Sequence, residues 1–306
     1  MTATIQLRDV TLRDGLQLTG KLLPTARKVE IIRELLDLGL PSVEIGSLAR
    51  PDVVPPMANT LEVVAELTAA ELSHCWVWVA TPRHVDKALS AGVRNVQYCL
   101  SVSDSHNQAN IGRSTERSLE AMPEAVSAVT SAGGRIQLCL ATAFTCPFDG
   151  VVPGQKVLDI VSDPRIQGVC GVVVCDTLGQ AIPSQVHQLI SAVAAHAEGR
   201  DVVFHGHDTW GQGVANGLAA ISAGATVLDG SLGGLGGCPF ARGASGNTAI
   251  EDLLFALRPA WLTPPTLDRL VSISETLLAE LDEPNRSKAA QGVRSEARAF
   301  EWVTAR

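Results

Sequence analysis

Eight short runs rich in branched residues, each followed by an amphipathic stretch, predict an α/β fold, a (β/α)8 TIM barrel. The runs fall at 5–12, 42–46, 75–80, 96–102, 136–141, 169–176, 202–208 and 226–232. Several are nearly continuous in hydrophobic residues instead of strictly alternating, as expected of parallel strands covered on both faces. Eight such units occupy residues 1–257, a length that suits a closed barrel better than an open sheet. The remainder, 258–306, is read as a short C-terminal helical extension packed on the barrel.

The connecting helices follow from spacing and punctuation. In TARKVEIIRELLDLG, apolar Val29, Ile32, Leu35 and Leu36 recur three to four residues apart and the pattern stops at Gly39, the signature of an amphipathic helix with a glycine end. Further helices are expected over 58–70, 82–91, 114–132, 153–162, 183–197, 211–223 and 248–257. Pro82, Pro153 and Pro183 stand where three of them begin, and proline is tolerated in a helix's first turn, where its missing N–H costs no bond. The extension carries one clear amphipathic helix at about 265–283; an apolar face left exposed there would suit a homodimer.

Composition narrows the class. With 46% hydrophobic residues the 306-residue chain can bury a large core, which argues against disorder. The balance of 24 basic and 32 acidic side chains argues against a nucleic-acid partner bound through a broad basic face. No apolar run approaches the ~18 residues of a membrane span, and the first residues, MTATIQLRDVTLRDG, lack a signal-peptide core. The seven cysteines, at 75, 99, 139, 146, 170, 175 and 238, contain no CxxC pair. An odd, unpatterned set in a chain of this size reads as reduced thiols in a cytoplasmic setting.

In such a barrel, chemistry gathers at the C-terminal ends of the strands. The unusual residues here obey that rule. Arg13 and Asp14 follow the first run, Glu44 lies near the end of the second, and Asp176 ends the sixth. His205 and His207 end the seventh, and a glycine-rich loop follows the eighth. His205-Gly206-His207 is the sharpest local signal, because positions i and i+2 of a strand share a face and both imidazoles can meet one ion. A hydrogen-bonded histidine pair at a strand end is the alternative. Adding Asp14 and Asn247 makes a mixed nitrogen and oxygen set that suits Mg, Mn or Zn used with water and substrate oxygens. It is not a structural zinc signature, which would bring thiolates or more histidines.

Arg13 beside Asp14 is either a strand-end salt bridge or a cation aimed at a carbonyl where negative charge develops. The loop GSLGGLGGCPFARGASGN, 230–247, does not fit G-x-G-x-x-G and follows the last strand, so it is not a dinucleotide fingerprint. It reads as a hinged cover that carries Cys238, which can act as an acid or base over a site; a plain connector is the alternative. Asp176 can orient a ligand or cap the turn that follows it.

These residues together resemble the 3-hydroxy-3-methylglutaryl-CoA (HMG-CoA) lyase family, a group of metal-dependent barrels that also holds Claisen-type synthases. The resemblance runs from about 5 to 257 and rests on RDGLQ (13–17), VPPM (54–57), HGHDTWGQGVAN (205–216) and LGGLGGCPFARGASGN (232–247). It implies a divalent metal, Mg or Mn, held by Asp14, His205, His207 and Asn247. Arg13 would stabilise the thioester enolate and Cys238 would deliver a proton. Gln17, Glu44, Asn110 and Asp176 would contact substrate or hold those groups. The implied activity is carbon–carbon cleavage of HMG-CoA or a close β-hydroxyacyl-CoA; a condensing enzyme or aldolase with another acid is the alternative. A non-catalytic barrel is disfavoured because each implied position holds a competent residue.

The chain departs from the family at Thr11-Leu12, where lyases usually have Gly-Pro. Around Asn110 the usual lysines are missing, and Gln137 stands where an arginine is expected on the fifth strand. These departures fall in substrate-contacting regions.

Overall fold

The computed structural model describes residues 5–237 and 245–296. Eight strands form the barrel: β1 (Gln6–Asp9), β2 (Ser42–Ser47), β3 (Cys75–Val79), β4 (Asn95–Ser101), β5 (Arg135–Ala141), β6 (Gly171–Asp176), β7 (Asp201–Gly206) and β8 (Val227–Gly230). They close in sequence order, with β8 pairing back to β1, and every neighbouring pair is parallel. A small antiparallel hairpin, Thr145–Cys146 with Gly150–Val151, decorates the loop after β5. The fold is therefore the TIM barrel that the periodicity predicts.

Two cores result from the strands' alternation. Outward side chains such as Val43, Ile45, Val77 and Phe204 pack against helix residues such as Ile31, Ile32, Leu35 and Val63 in one continuous apolar shell. The inward side chains are unusual. Barrel lumens are ordinarily filled by branched aliphatic residues, yet Arg8, Glu44, Gln97, Gln137, His205 and Asp229 are all buried here.

Some elements differ from the sequence expectation. β1 stops at Asp9, and Thr11–Gly15 turns into a fully buried π-helical turn. The Asp9 carboxylate is the reason: it accepts from the Thr11 N–H at 3.0 Å and the Thr11 hydroxyl at 2.8 Å, pulling the chain out of the strand path. The helix expected at 114–132 is two helices, Thr115–Glu120 and Met122–Ser131, broken where Pro123 lacks the N–H to continue the ladder. A further helix, Asp104–Ile111, precedes them. Ser103 caps its start, and it ends at Gly112, whose φ of +73° suits a residue without Cβ.

The C-terminal helix, Pro264–Leu281, buries Leu267, Leu270, Val271, Ile273, Leu277, Leu278 and Leu281. Its apolar stripe is thus covered by the chain itself. This helix therefore lacks the exposed apolar face that would have suited a homodimer. The segment after it clamps the root of the glycine-rich loop: the Arg286 N–H donates to Gly233 O at 2.9 Å. Among the described residues, no helix is long and apolar enough to cross a membrane.

Candidate active site

The site lies where the C-terminal ends of β1, β2, β7 and β8 meet. The π-helical turn after β1 directs both Arg13 and Asp14 inward, and each is nearly buried. Such turns are rare and recur at functional positions. Arg13 is clamped on two sides, its Nε donating to Glu44 Oε2 and its Nη1 to Asp14 Oδ1, both at 2.6 Å. A bulge in β2 between Glu44 and Gly46 re-aims that strand end. Gln97 Nε2 donates to the other Glu44 oxygen at 3.0 Å. Glu44 therefore positions Arg13, and its own carboxylate is fully engaged.

The remaining Asp14 oxygen gathers the other polar groups. His207 Nε2 lies 3.4 Å and His205 Nε2 4.0 Å from Asp14 Oδ2, and Asn247 Nδ2 donates to it at 2.9 Å. The imidazole centroids are 5.2 Å apart. Among the described residues, Asp14, His205 and His207 are the group whose ligand atoms all lie within 4.8 Å of one another, as one bound cation requires. Gly206 between the histidines is needed because a Cβ there would come within 2.6 Å of the Phe204 ring.

The donor chemistry fits a divalent cation on two further counts. Asn247 Nδ2 also donates to Leu235 O at 3.0 Å, which fixes the amide; its Oδ1 is buried and has no partner among the described residues. A buried amide oxygen without a donor is costly unless an electrophile meets it. His205 presents Nε2 because its Nδ1 faces Asp229 Oδ2 at 3.1 Å. That carboxylate fixes the tautomer, as carboxylates do for metal-ligating histidines. Asp229 is in turn held by both forks of Arg8, at 2.9 and 2.8 Å, and Arg8 reaches across the barrel to Gln137 Oε1 at 2.8 Å.

Electrostatics follow this packing. Burial alone would raise the Asp14 carboxyl, but the Arg13 guanidinium and then the two histidines outweigh it and hold it well below the usual carboxylate range. Burial would lower Arg13; Glu44 and Asp14 reverse that and lock it as a cation. Glu44 is pushed up by burial despite Arg13 and Arg8. Burial likewise works against a charged His205, but Asp229 and Asp14 raise it overall.

Other expected residues fall in different places. Gln17 is half-buried on the turn after Gly15, and Asn110 is exposed on the Asp104–Ile111 helix. The structure brings neither into the hydrogen-bonded cluster. Asp176 spends its carboxylate on the N–H groups of Gln180 and Ala181, at 3.2 and 3.0 Å, the turn-capping alternative. Cys238 lies outside the described residues. Sequence reading missed Arg8 and Asp229 altogether. The available signal was a full charge inside a nearly apolar strand run, which is expensive to bury unpaired.

The sequence matches the HMGL-like family over residues 4–277. The chain belongs to that family. It is 35% identical to the (R)-citramalyl-CoA lyase of Chloroflexus aurantiacus, covering 92% of each chain. With the 3-hydroxy-3-isohexenylglutaryl-CoA/hydroxymethylglutaryl-CoA lyase of Pseudomonas aeruginosa it shares 32% identity, over 96% of this chain and 98% of that one. The solved structure of an Acinetobacter baumannii HMG-CoA lyase with coenzyme A and 3-methylmalate superposes with a TM-score of 0.87 at 31% identity, covering 96% of each chain. The protein is an HMG-CoA lyase-like carbon–carbon lyase.

Proposed function

We propose that this enzyme cleaves HMG-CoA, or a closely similar 3-hydroxyacyl-CoA, to acetyl-CoA and a keto acid. A Mg or Mn ion held by Asp14, His205, His207 and Asn247 would serve as its cofactor. The carrying observation is the convergence of Asp14, His205 and His207 within 4.8 Å, beside an Arg13 that Glu44 holds in place at 2.6 Å. The coenzyme A bound by the Acinetobacter relative supports an acyl-CoA partner. The six described cysteines are free thiols, in keeping with work in the cytoplasm.

When bound, the cation would lower the pKa of the substrate hydroxyl and fix its orientation. The protein's own residues account for the rest. The hydroxyl gives its proton to solvent water as its oxygen becomes the carbonyl of the keto acid, the bond between the second and third acyl carbons breaks, and its electron pair passes to the thioester carbonyl oxygen as an enolate. Arg13 supplies a preorganised cation at that oxygen, and Glu44 prevents it from swinging onto the substrate carboxylate. The enolate then takes a proton at the second carbon, from Cys238 in the role implied by resemblance, and leaves as acetyl-CoA. The same site runs backwards as a condensation, so direction is set by thermodynamics.

The test is steady-state cleavage of HMG-CoA and (R)-citramalyl-CoA with Mg or Mn against an EDTA control, following acetyl-CoA and keto acid. Metal-dependent turnover at kcat/KM of roughly 10⁴ M⁻¹s⁻¹ or more on one of them is expected, lost in His207→Ala together with bound metal. No cleavage of either by metal-loaded protein would sink the proposal. Product formed only from acetyl-CoA and a keto acid would favour the condensing alternative.

A further inference from the structure

The barrel mouth has two unlike sides. β1, β2, β7 and β8 supply the ionised groups described above. The facing strands β4, β5 and β6 instead present Cys99, Cys139, Ala141 and Cys175, with Trp78 of β3 against them and Val173 and Val203 in the same cluster. Strand register assembles this wall: Cys99 pairs with Cys139, and Cys175 with His205, so the thiols stand beside the histidine end of the polar half. Cys139 and Cys175 touch at 3.4 Å. Val173 and Val203 are wholly buried, whereas Ala141 keeps 8% exposure and Trp78 is half-buried. The valines thus close a floor, and the thiols, 3–5% exposed, lie above it with the alanine.

The described residues of this wall carry no charged or hydroxyl-bearing side chain. The polar neighbours at its upper edge are already engaged. Ser101 Oγ is bonded to His106 Nδ1 and Thr142 Oγ1 donates to Ala141 O, both at 2.7 Å, and Asp176 caps its own turn. Thiols are weak donors that behave as small hydrophobes. They are also small for their place. Against the branched aliphatics that ordinarily fill a barrel layer, three cysteines and an alanine leave out roughly four or more carbons.

We infer that this wall is the subsite for the substituent on the third acyl carbon, and that it selects an apolar substituent larger than methyl. The inference rests on the cleavage proposed above. A substrate anchored by hydroxyl and carboxylate at Asp14, His205 and His207, with its thioester oxygen at Arg13, has one substituent left. The polar half of the mouth is occupied, and β4–β6 face it.

The experiment is kcat/KM for a series of 3-hydroxy-3-alkylglutaryl-CoA thioesters, methyl to pentyl, with saturating Mn. Wild type, Cys139→Leu and Cys139→Ala are compared, and the affinity of the matching 3-hydroxy-3-alkylglutarates is measured by calorimetry. Wild type should gain about threefold to fourfold per added methylene until the wall is full. Cys139→Leu should return the preference to methyl, and Cys139→Ala should extend it to longer chains. General destabilisation would lower all substrates together and leave the ratios unchanged, and if Cys139→Leu does not fold, Cys139→Ala decides alone. A wild-type preference for methyl, or ratios unmoved by the variants, overturns the inference. If no thioester is cleaved but the acids bind in the expected order, the wall stands and the reaction assignment falls. If neither cleavage nor that order is seen, both fall.

Discussion

Asp229→Asn tests the link between the barrel's interior charge and its cation site. In the folded protein Asp229 does two things: it accepts two bonds from Arg8, at 2.9 and 2.8 Å, and it faces His205 Nδ1 at 3.1 Å. Neutralising it leaves the Arg8 guanidinium buried without its counter-charge. Breaking a buried ion pair from one side costs about 3–5 kcal/mol. With an unfolding entropy near 2.1 cal/mol/K per residue, the 306-residue chain should melt roughly 5–8 °C lower. Loss of the carboxylate behind His205 should separately weaken Mn binding about 10- to 100-fold. The double variant Arg8→Met with Asp229→Asn separates the two effects. Removing both charges should recover most of the stability, while the Mn affinity stays low because His205 still lacks its partner. Melting curves and a titration of free Mn followed by its paramagnetic resonance read both quantities. Wild-type Mn affinity in Asp229→Asn would refute the reasoning, as would a double variant whose affinity recovers along with its stability.

Two further outcomes are expected. Burial raises the Glu251 carboxyl from 4.5 to about 7 against the opposing hydrogen bonds of its own backbone, Ser274 and Gly233. The folded state thus keeps a proton that the unfolded chain has released across that interval, so this group's stabilisation is fully present below pH 4.5 and is lost as pH rises through about 7. Glu251→Gln should remove a slope on the order of 3 kcal/mol between pH 5 and 8; denaturant titrations at both pH values that change in parallel with wild type would contradict it. In Gly206→Ala the new methyl meets the Phe204 ring at 2.6 Å, which should cost about 1–3 kcal/mol and weaken Mn binding by shifting the strand between the histidines. A variant with unchanged melting and unchanged Mn affinity would show that the strand has room.

The parts of the site legible in the sequence are those governed by a local rule. His205 and His207 share a face because strands repeat every two residues, and Asp14 and Arg13 are on the active rim because they follow β1. The local rule did not give their conformation, since the π-helical turn depends on Asp9 accepting from Thr11 and on Thr11 Oγ1 accepting from Leu232 N at 2.8 Å. Thr11 looked like a departure in a substrate-contacting region; the structure shows it tying β1 to the loop after β8. Arg8 and Asp229 are 221 residues apart, so no window could pair them. The cysteines likewise read as scattered, yet strand register puts Cys99, Cys139 and Cys175 on one wall. Asn107 shows the same limit: nothing in its local sequence marks it, yet it is buried and tied to Ser101 N and Ser118 Oγ.

The division of the lumen into an ionised half and a thiol half also sets a charge balance. Arg8 and Arg13 face Asp14, Glu44 and Asp229, all of them buried, so with the histidines neutral, as metal ligation requires, this network sets two cations against three carboxylates, a formal excess of one negative charge. Buried ion pairs do little for stability once desolvation is counted, so this network is better understood as preparation for a guest. A divalent cation would turn that single negative charge into a single positive one, and a substrate carboxylate would then restore neutrality. During cleavage the new negative charge would form beside Arg13, the cation held by two carboxylates at 2.6 Å. Because those bonds are already made, little reorganisation is needed when the enolate appears. The opposite wall, with no cationic side chain among its described residues, would not compete for the substrate's carboxylate. On the proposed reading, the polarity of the two halves would orient the substrate before any contact specific to its acyl group is made.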